Sequence, residues 1–136
     1  MATDQTNYNN PYVRSPGLNN VSSYMVSGKP YLSGASFGAG TEVEFSFPAV
    51  TKEIMVKGTN VTMTLVSTSS AGSVLSGMHK WDIASATVPD IFDIKCKEIY
   101  FHTTNSGQPA EVTLYASLTG IGAQEMFNLT GSGVTE

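Results

Sequence analysis

Apolar residues recur at alternate positions in short runs along this chain. In residues 41–47, Val43, Phe45 and Phe47 fall on one side while Glu42, Glu44 and Ser46 fall on the other. That is the period of a half-buried strand, and Pro48 ends it. Residues 51–57 alternate again, with Ile54 and Val56 opposite Glu53, Met55 and Lys57. Gly58-Thr59-Asn60 then leads into 61–67, where Val61, Met63 and Leu65 share a face, and the pair reads as a hairpin. Ile99 and Phe101 mark a strand at 98–102, and Val112, Leu114, Ala116 and Leu118 mark the clearest one at 111–118. Trp81 and Ile83 read as facing inward together, and short extended pieces at 24–27 and 31–33 read as an edge or entry strand around Gly28 and Pro30. Apolar spacing of helical length is missing, and 124–129 has room for one helical turn.

Seven or eight short strands at intervals of about ten residues predict an all-β fold, an antiparallel β-sandwich of jelly-roll type. Its expected core is Val43, Phe45, Phe47, Ile54, Val56, Val61, Met63, Leu65, Ile99, Phe101, Val112, Leu114 and Leu118. Residues 1–23 lack this periodicity and are rich in Asn, Pro and Gly, so they are expected to form an extended N-terminal arm before a β-domain at 24–136. Tyr8, Tyr12, Val13 and Leu18 give the arm enough apolar surface to order against a neighbouring molecule. Tyr24, Tyr31 and Tyr115 are the further interface candidates, since an apolar ring with a polar tip suits partial burial between proteins.

Composition narrows the possible roles. Charged residues are 13% of the chain, about half the usual share, so the surface is built from Ser, Thr, Asn and Gly and costs less to desolvate under a partner. The net charge of −4 and the scattered Lys and Arg argue against a nucleic-acid partner. A lone cysteine, Cys96, rules out an intramolecular disulfide and reads as a reduced residue in or beside a strand. The N-terminal residues do not read as a secretory signal and no run is long and apolar enough for a membrane span, so synthesis in a reducing cytoplasm is expected.

The chemistry-bearing patterns are weak. Gly34-Ala35-Ser36-Phe37-Gly38 matches the nucleophile-elbow pattern, but that mechanism needs a strand before the serine and a helix after it. A strand follows here, and the segment reads as an inter-strand loop. His79 and His102 lack metal-ligand spacing and read as residues on strand faces. Asp82, Asp90, Asp93 and Glu98 lack the glycine-turned spacing of a calcium loop and read as surface carboxylates. No catalytic residue, metal or cofactor is expected. Sequons at Asn20, Asn60 and Asn128 are no more than a Ser/Thr-rich chain produces by chance. Trp81, read by default as core, would be the platform if the domain bound sugars.

Several phrases resemble small virion proteins of tailed bacteriophages, in particular capsid decoration (cement) proteins. They are Ser23-Tyr24-Met25-Val26-Ser27-Gly28-Lys29-Pro30-Tyr31, Phe47-Pro48-Ala49-Val50-Thr51-Lys52, Lys97-Glu98-Ile99-Tyr100-Phe101 and Tyr115-Ala116-Ser117-Leu118-Thr119-Gly120-Ile121. The resemblance spans most of the domain and leaves out the Asn-rich leader. It implies a non-enzymatic β-sandwich on the outside of an icosahedral head, bound to the major capsid protein, often as a homotrimer at three-fold positions. A carbohydrate-binding host-adhesion module and a minor head–tail structural protein are the alternatives, with a small enzyme last.

Overall fold

Two antiparallel sheets fold face to face around the alternating residues. The computed structural model describes residues 17–19, 21–25, 27–67, 79–83, 85–105, 107–130 and 133. A helical turn, α1 (Ser22–Met25), precedes eight strands: β1 (Lys29–Phe37), β2 (Glu42–Ser46), β3 (Ala49–Thr59), β4 (Val61–Thr64), β5 (Trp81–Asp82), β6 (Asp90–Phe92), β7 (Glu98–Thr103) and β8 (Ala110–Gly122). A 3-10 turn, Ala123–Glu125, follows β8. The first sheet has the order β1-β8-β3-β6 and the second β2-β7-β4-β5.

The pairing is nested. β1 pairs with β8, β2 with β7, β3 with β6 and β4 with β5, all antiparallel. The chain is thus one long two-stranded ribbon, doubled back between β4 and β5 and rolled so that successive pairs alternate between sheets. That is a jelly roll.

The inner faces close on Phe101, Ile54, Ile99 and Leu114, all fully buried, with Phe45, Val56, Val61 and Val112 around them. Phe45 and Phe101 meet edge to face at 5.5 Å. Burying each such side chain contributes about 1.5–3 kcal/mol. A second cluster, Val50, Ile121 and Met126, lies beside the first and packs with Leu18 and Tyr24. The described end of the leader is therefore seated on its own sandwich. The arm as expected over Tyr8, Tyr12 and Val13 lies outside the described residues.

Several expectations need correction. The segment Gly58-Thr59-Asn60 does not close a hairpin, because β3 belongs to the first sheet and β4 to the second. A single residue, Asn60, separates them, too few for a two-residue hairpin loop. Asn60 takes a left-handed φ of 59° and turns the chain through a corner between sheets. Residues 34–37 are not a loop but the second half of β1, with Ala35 and Phe37 opposite Val112 and Ala110. A Cβ on Gly34 would stand 2.9 Å from the Val112 carbonyl oxygen, so this close strand approach requires glycine. Tyr24 sits on a helical turn rather than an extended piece, its N–H donating to Val21 O at 3.0 Å.

Trp81 is not core. It is 57% exposed, whereas Ile83 is buried. The two-residue β5 lies at the sheet's edge, where the indole can only lean edge-on against Phe92 of β6, 6.3 Å away. Val43 and Leu65 are half-buried rather than buried. His79 is exposed and outside any strand, while His102 is on β7 as expected.

Candidate docking surface

The first sheet turns one parity of its residues inward and leaves the other to solvent. On β8, Val112, Leu114 and Ala116 face the core and Thr113, Tyr115 and Ser117 face out. Register then sets the outward residues in rows. Leu32 pairs with Tyr115, Tyr115 with Met55, and Met55 with Ile91. These four side chains stand in one line across all four strands of the sheet. Leu32 is 74% exposed, Ile91 56% and Tyr115 37%. A single exposed apolar residue is ordinary, but a contiguous line of four is a surface with a use.

The neighbouring rows are small or polar. On one side stand Gly34, Thr113 and Lys57, and on the other Pro30, Ser117 and Glu53. Leu32, Met55, Tyr115, Lys57, Thr113 and Pro89 enclose a shallow depression of about 230 Å³ on this face. Val88, next to Pro89 in the chain, is 66% exposed.

The outward face of the second sheet is different in kind. Glu44 pairs with Tyr100 and Ser46 with Glu98. Burial, and then the Glu44 carboxylate hydrogen-bonded to it, push the Glu98 carboxyl up from its ordinary value. Burial and the carboxylates of Glu98, Glu44 and Glu42 push the Tyr100 phenol up to about 12. Beside them, Thr62, Thr64 and His102 are buried although they point away from the core. The Thr62 hydroxyl donates to Asp82 Oδ1 at 2.8 Å, and Ser67 donates to Glu42 Oε1 at 2.8 Å. Burial holds the His102 imidazole below its usual pKa, and its Nε2 makes no hydrogen bond among the described residues. No group of three or more His, Cys, Asp or Glu that could hold a metal ion occurs among the described residues.

Cys96 is fully buried at the base of β3. Its N–H donates to Thr51 Oγ1 at 3.0 Å, and that hydroxyl donates in turn to Ile94 O at 2.8 Å. Burial pushes its thiol up to about 11, which keeps it protonated and unreactive at neutral pH. Ser36, the would-be nucleophile, is exposed as the next-to-last residue of the edge strand β1, and a strand rather than a helix follows it. The elbow geometry is absent there.

The structure disperses the expected interface residues. Tyr8, Tyr12 and Val13 lie outside the described residues. Leu18 is packed on the second core cluster, and Tyr24 donates its hydroxyl to Leu18 O at 2.7 Å beneath the Lys95 ammonium. Tyr31 turns inward and meets Phe47 edge to face at 5.1 Å. Of the four that are described, Tyr115 alone stands on the open face. Its companions Leu32 and Ile91 are not among the expected interface residues, and neither is Met55, although alternation already places it opposite Ile54 and Val56. Met55 sits between two core residues of an alternating strand, so its parity had to be the outward one. No family model, no curated protein and no solved structure matches the chain.

Proposed function

We propose that this protein is a non-enzymatic virion structural subunit, a decoration or cement protein that binds the outer surface of a phage head and stabilises it. The observation that carries the reading is the apolar line Leu32–Tyr115–Met55–Ile91 on an otherwise low-charge sheet face, a surface suited to contact between the subunits of an assembly. The resemblance to decoration proteins supplies the partner, the major capsid protein, and the location on the capsid surface. Self-association of the subunit belongs to the same reading. The buried thiol of Cys96 and the position of Ser36 within β1, with a strand rather than a helix after it, support a structural role over a nucleophilic one.

The test is addition of purified protein to bare heads. Co-sedimentation at a fixed stoichiometry, with heads that then withstand higher temperature, is the expected result. Heads that neither bind the protein nor gain stability overturn the reading. One observation favours a second reading. Trp81, exposed at the sandwich edge against Phe92, is placed to stack on a sugar ring. Glycan binding lost in Trp81→Ala, together with indifference to heads, would make the protein a carbohydrate-binding module instead.

A further inference from the structure

The pattern of charge around the apolar line specifies what covers it. Glu53, Met55 and Lys57 occupy consecutive outward positions on β3, with the acid on one side of the line and the base on the other. Two copies of the sheet can face each other about a two-fold axis that runs along the line itself. Each apolar residue of the line then meets its own counterpart. Lys57 of each copy comes opposite Glu53 of the other, and Thr113 comes opposite Ser117. An axis along β3 would instead set Lys57 against Lys57 and Glu53 against Glu53. The charges therefore select one arrangement.

We infer that the outer face of the β1-β8-β3-β6 sheet is the contact between two copies of this chain, related by a two-fold axis along Leu32–Tyr115–Met55–Ile91. Isologous two-fold contacts are the commonest in soluble oligomers, and two sheets stacked face to face are a standard packing. On β1 and β8 the rows flanking the line carry Pro30 and Ser117 on one side and Gly34 and Thr113 on the other, so no long side chain on these two strands stands between the line and its counterpart. The contact uses a single sheet face, and the association is expected to reverse on dilution. The inference deepens the reading of the protein as an assembly subunit and rests on it for its purpose. Its test is made in free solution, so the result there and the result with heads are independent.

The experiment is the mass of the full chain in solution by sedimentation velocity across a range of concentrations. The expected species is twice the 14.4 kDa of one chain, dissociating on dilution. Lys57→Glu and Glu53→Lys each place like charges across the interface at two points and should weaken association roughly tenfold or more. Mixing the two variants should restore a dimer, because the introduced acid of one copy then faces the introduced base of the other. That recovery also shows that both variants fold. A wild-type protein that stays monomeric, a trimer, a dimer indifferent to both substitutions, or a mixture that fails to recover would each overturn the inference.

Discussion

Thr51 and Asn60 each hold a place where the ribbon changes course. Thr51 is fully buried and its hydroxyl satisfies both the Cys96 N–H and the Ile94 carbonyl. Thr51→Val keeps the shape and leaves both groups unpaired in an apolar setting, so chemical denaturation should show a loss of about 1–3 kcal/mol. Cys96 should resist alkylation in the folded protein and react only on unfolding, because its thiol is both enclosed and protonated. Asn60 combines its left-handed φ with side-chain bonds to the β7–β8 connection. Its Nδ2 donates towards Asn105 O at 3.1 Å, Gln108 O at 3.0 Å and Pro109 O at 3.2 Å, and its Oδ1 accepts from Asn105 N at 2.7 Å. Asn60→Gly preserves the backbone and loses only these bonds. Asn60→Asp keeps the acceptor but turns a second oxygen towards three carbonyls. The aspartate variant should melt below the glycine variant, and equal melting temperatures would show that the corner depends on φ alone.

At the scale of the strand, β8 is central to its sheet, between β1 and β3, and carries the longest inward face. Leu114→Ala there should cost about 2–5 kcal/mol in equilibrium unfolding, since a fully buried leucine leaves a cavity that two rigid sheets cannot close. The β2·β7 pair gives a pH dependence. Because the Glu98 carboxyl titrates higher in the folded protein than in the unfolded chain, the folded state binds more protons across that window. Stability therefore falls as pH rises through it and is greatest below it. Glu98→Gln should remove this term, so the melting temperature of the variant relative to wild type should rise between acid and neutral pH.

The same strands show how much was readable beforehand. Alternation alone located β2, β3, β7 and β8, because period two is imposed by the pleat and needs no knowledge of partners. It could not say which strand lies beside which. Gly58-Thr59-Asn60 has the composition of a hairpin turn, and only the positions of β6 and β8 on either side of β3 show that it is a corner. Trp81 was misplaced for a related reason, since whether an edge strand buries its large residue depends on what lies across the edge. The docking face was half legible: Tyr115 was visible as an outward aromatic, but the line it belongs to exists only once register aligns four strands.

For the molecule as a whole, the packing of Leu18 and Tyr24 on the second core cluster gives the effect of N-terminal deletions. Removing residues 1–16 should weaken attachment to heads, as expected of an arm that orders against a neighbouring molecule. Removing residues 1–23 also strips Leu18 from Val50, Ile121 and Met126, and should lower the melting temperature by several degrees. If the shorter deletion attaches as well as the full chain, the expectation that the arm orders against a neighbouring molecule fails.

The nested ribbon also governs when the protein can come into being. The pairs Met63–Trp81, Ile54–Phe92, Phe45–Ile99 and Leu32–Tyr115 lie successively farther apart along the chain. Each outer pair closes a small extra loop only if the pair inside it has already formed; otherwise it must close a long one at greater entropic cost. Such non-local order makes for slow folding. On the ribosome, β1 is made early but has no partner until β8 has emerged. Nascent chains arrested before Ala110 should stay protease-sensitive, and protection should arrive abruptly once β8 is released. The sandwich is thus completed only once β8 is released, and its apolar line, which needs β8 in place between β1 and β3, is assembled no earlier than the fold that carries it.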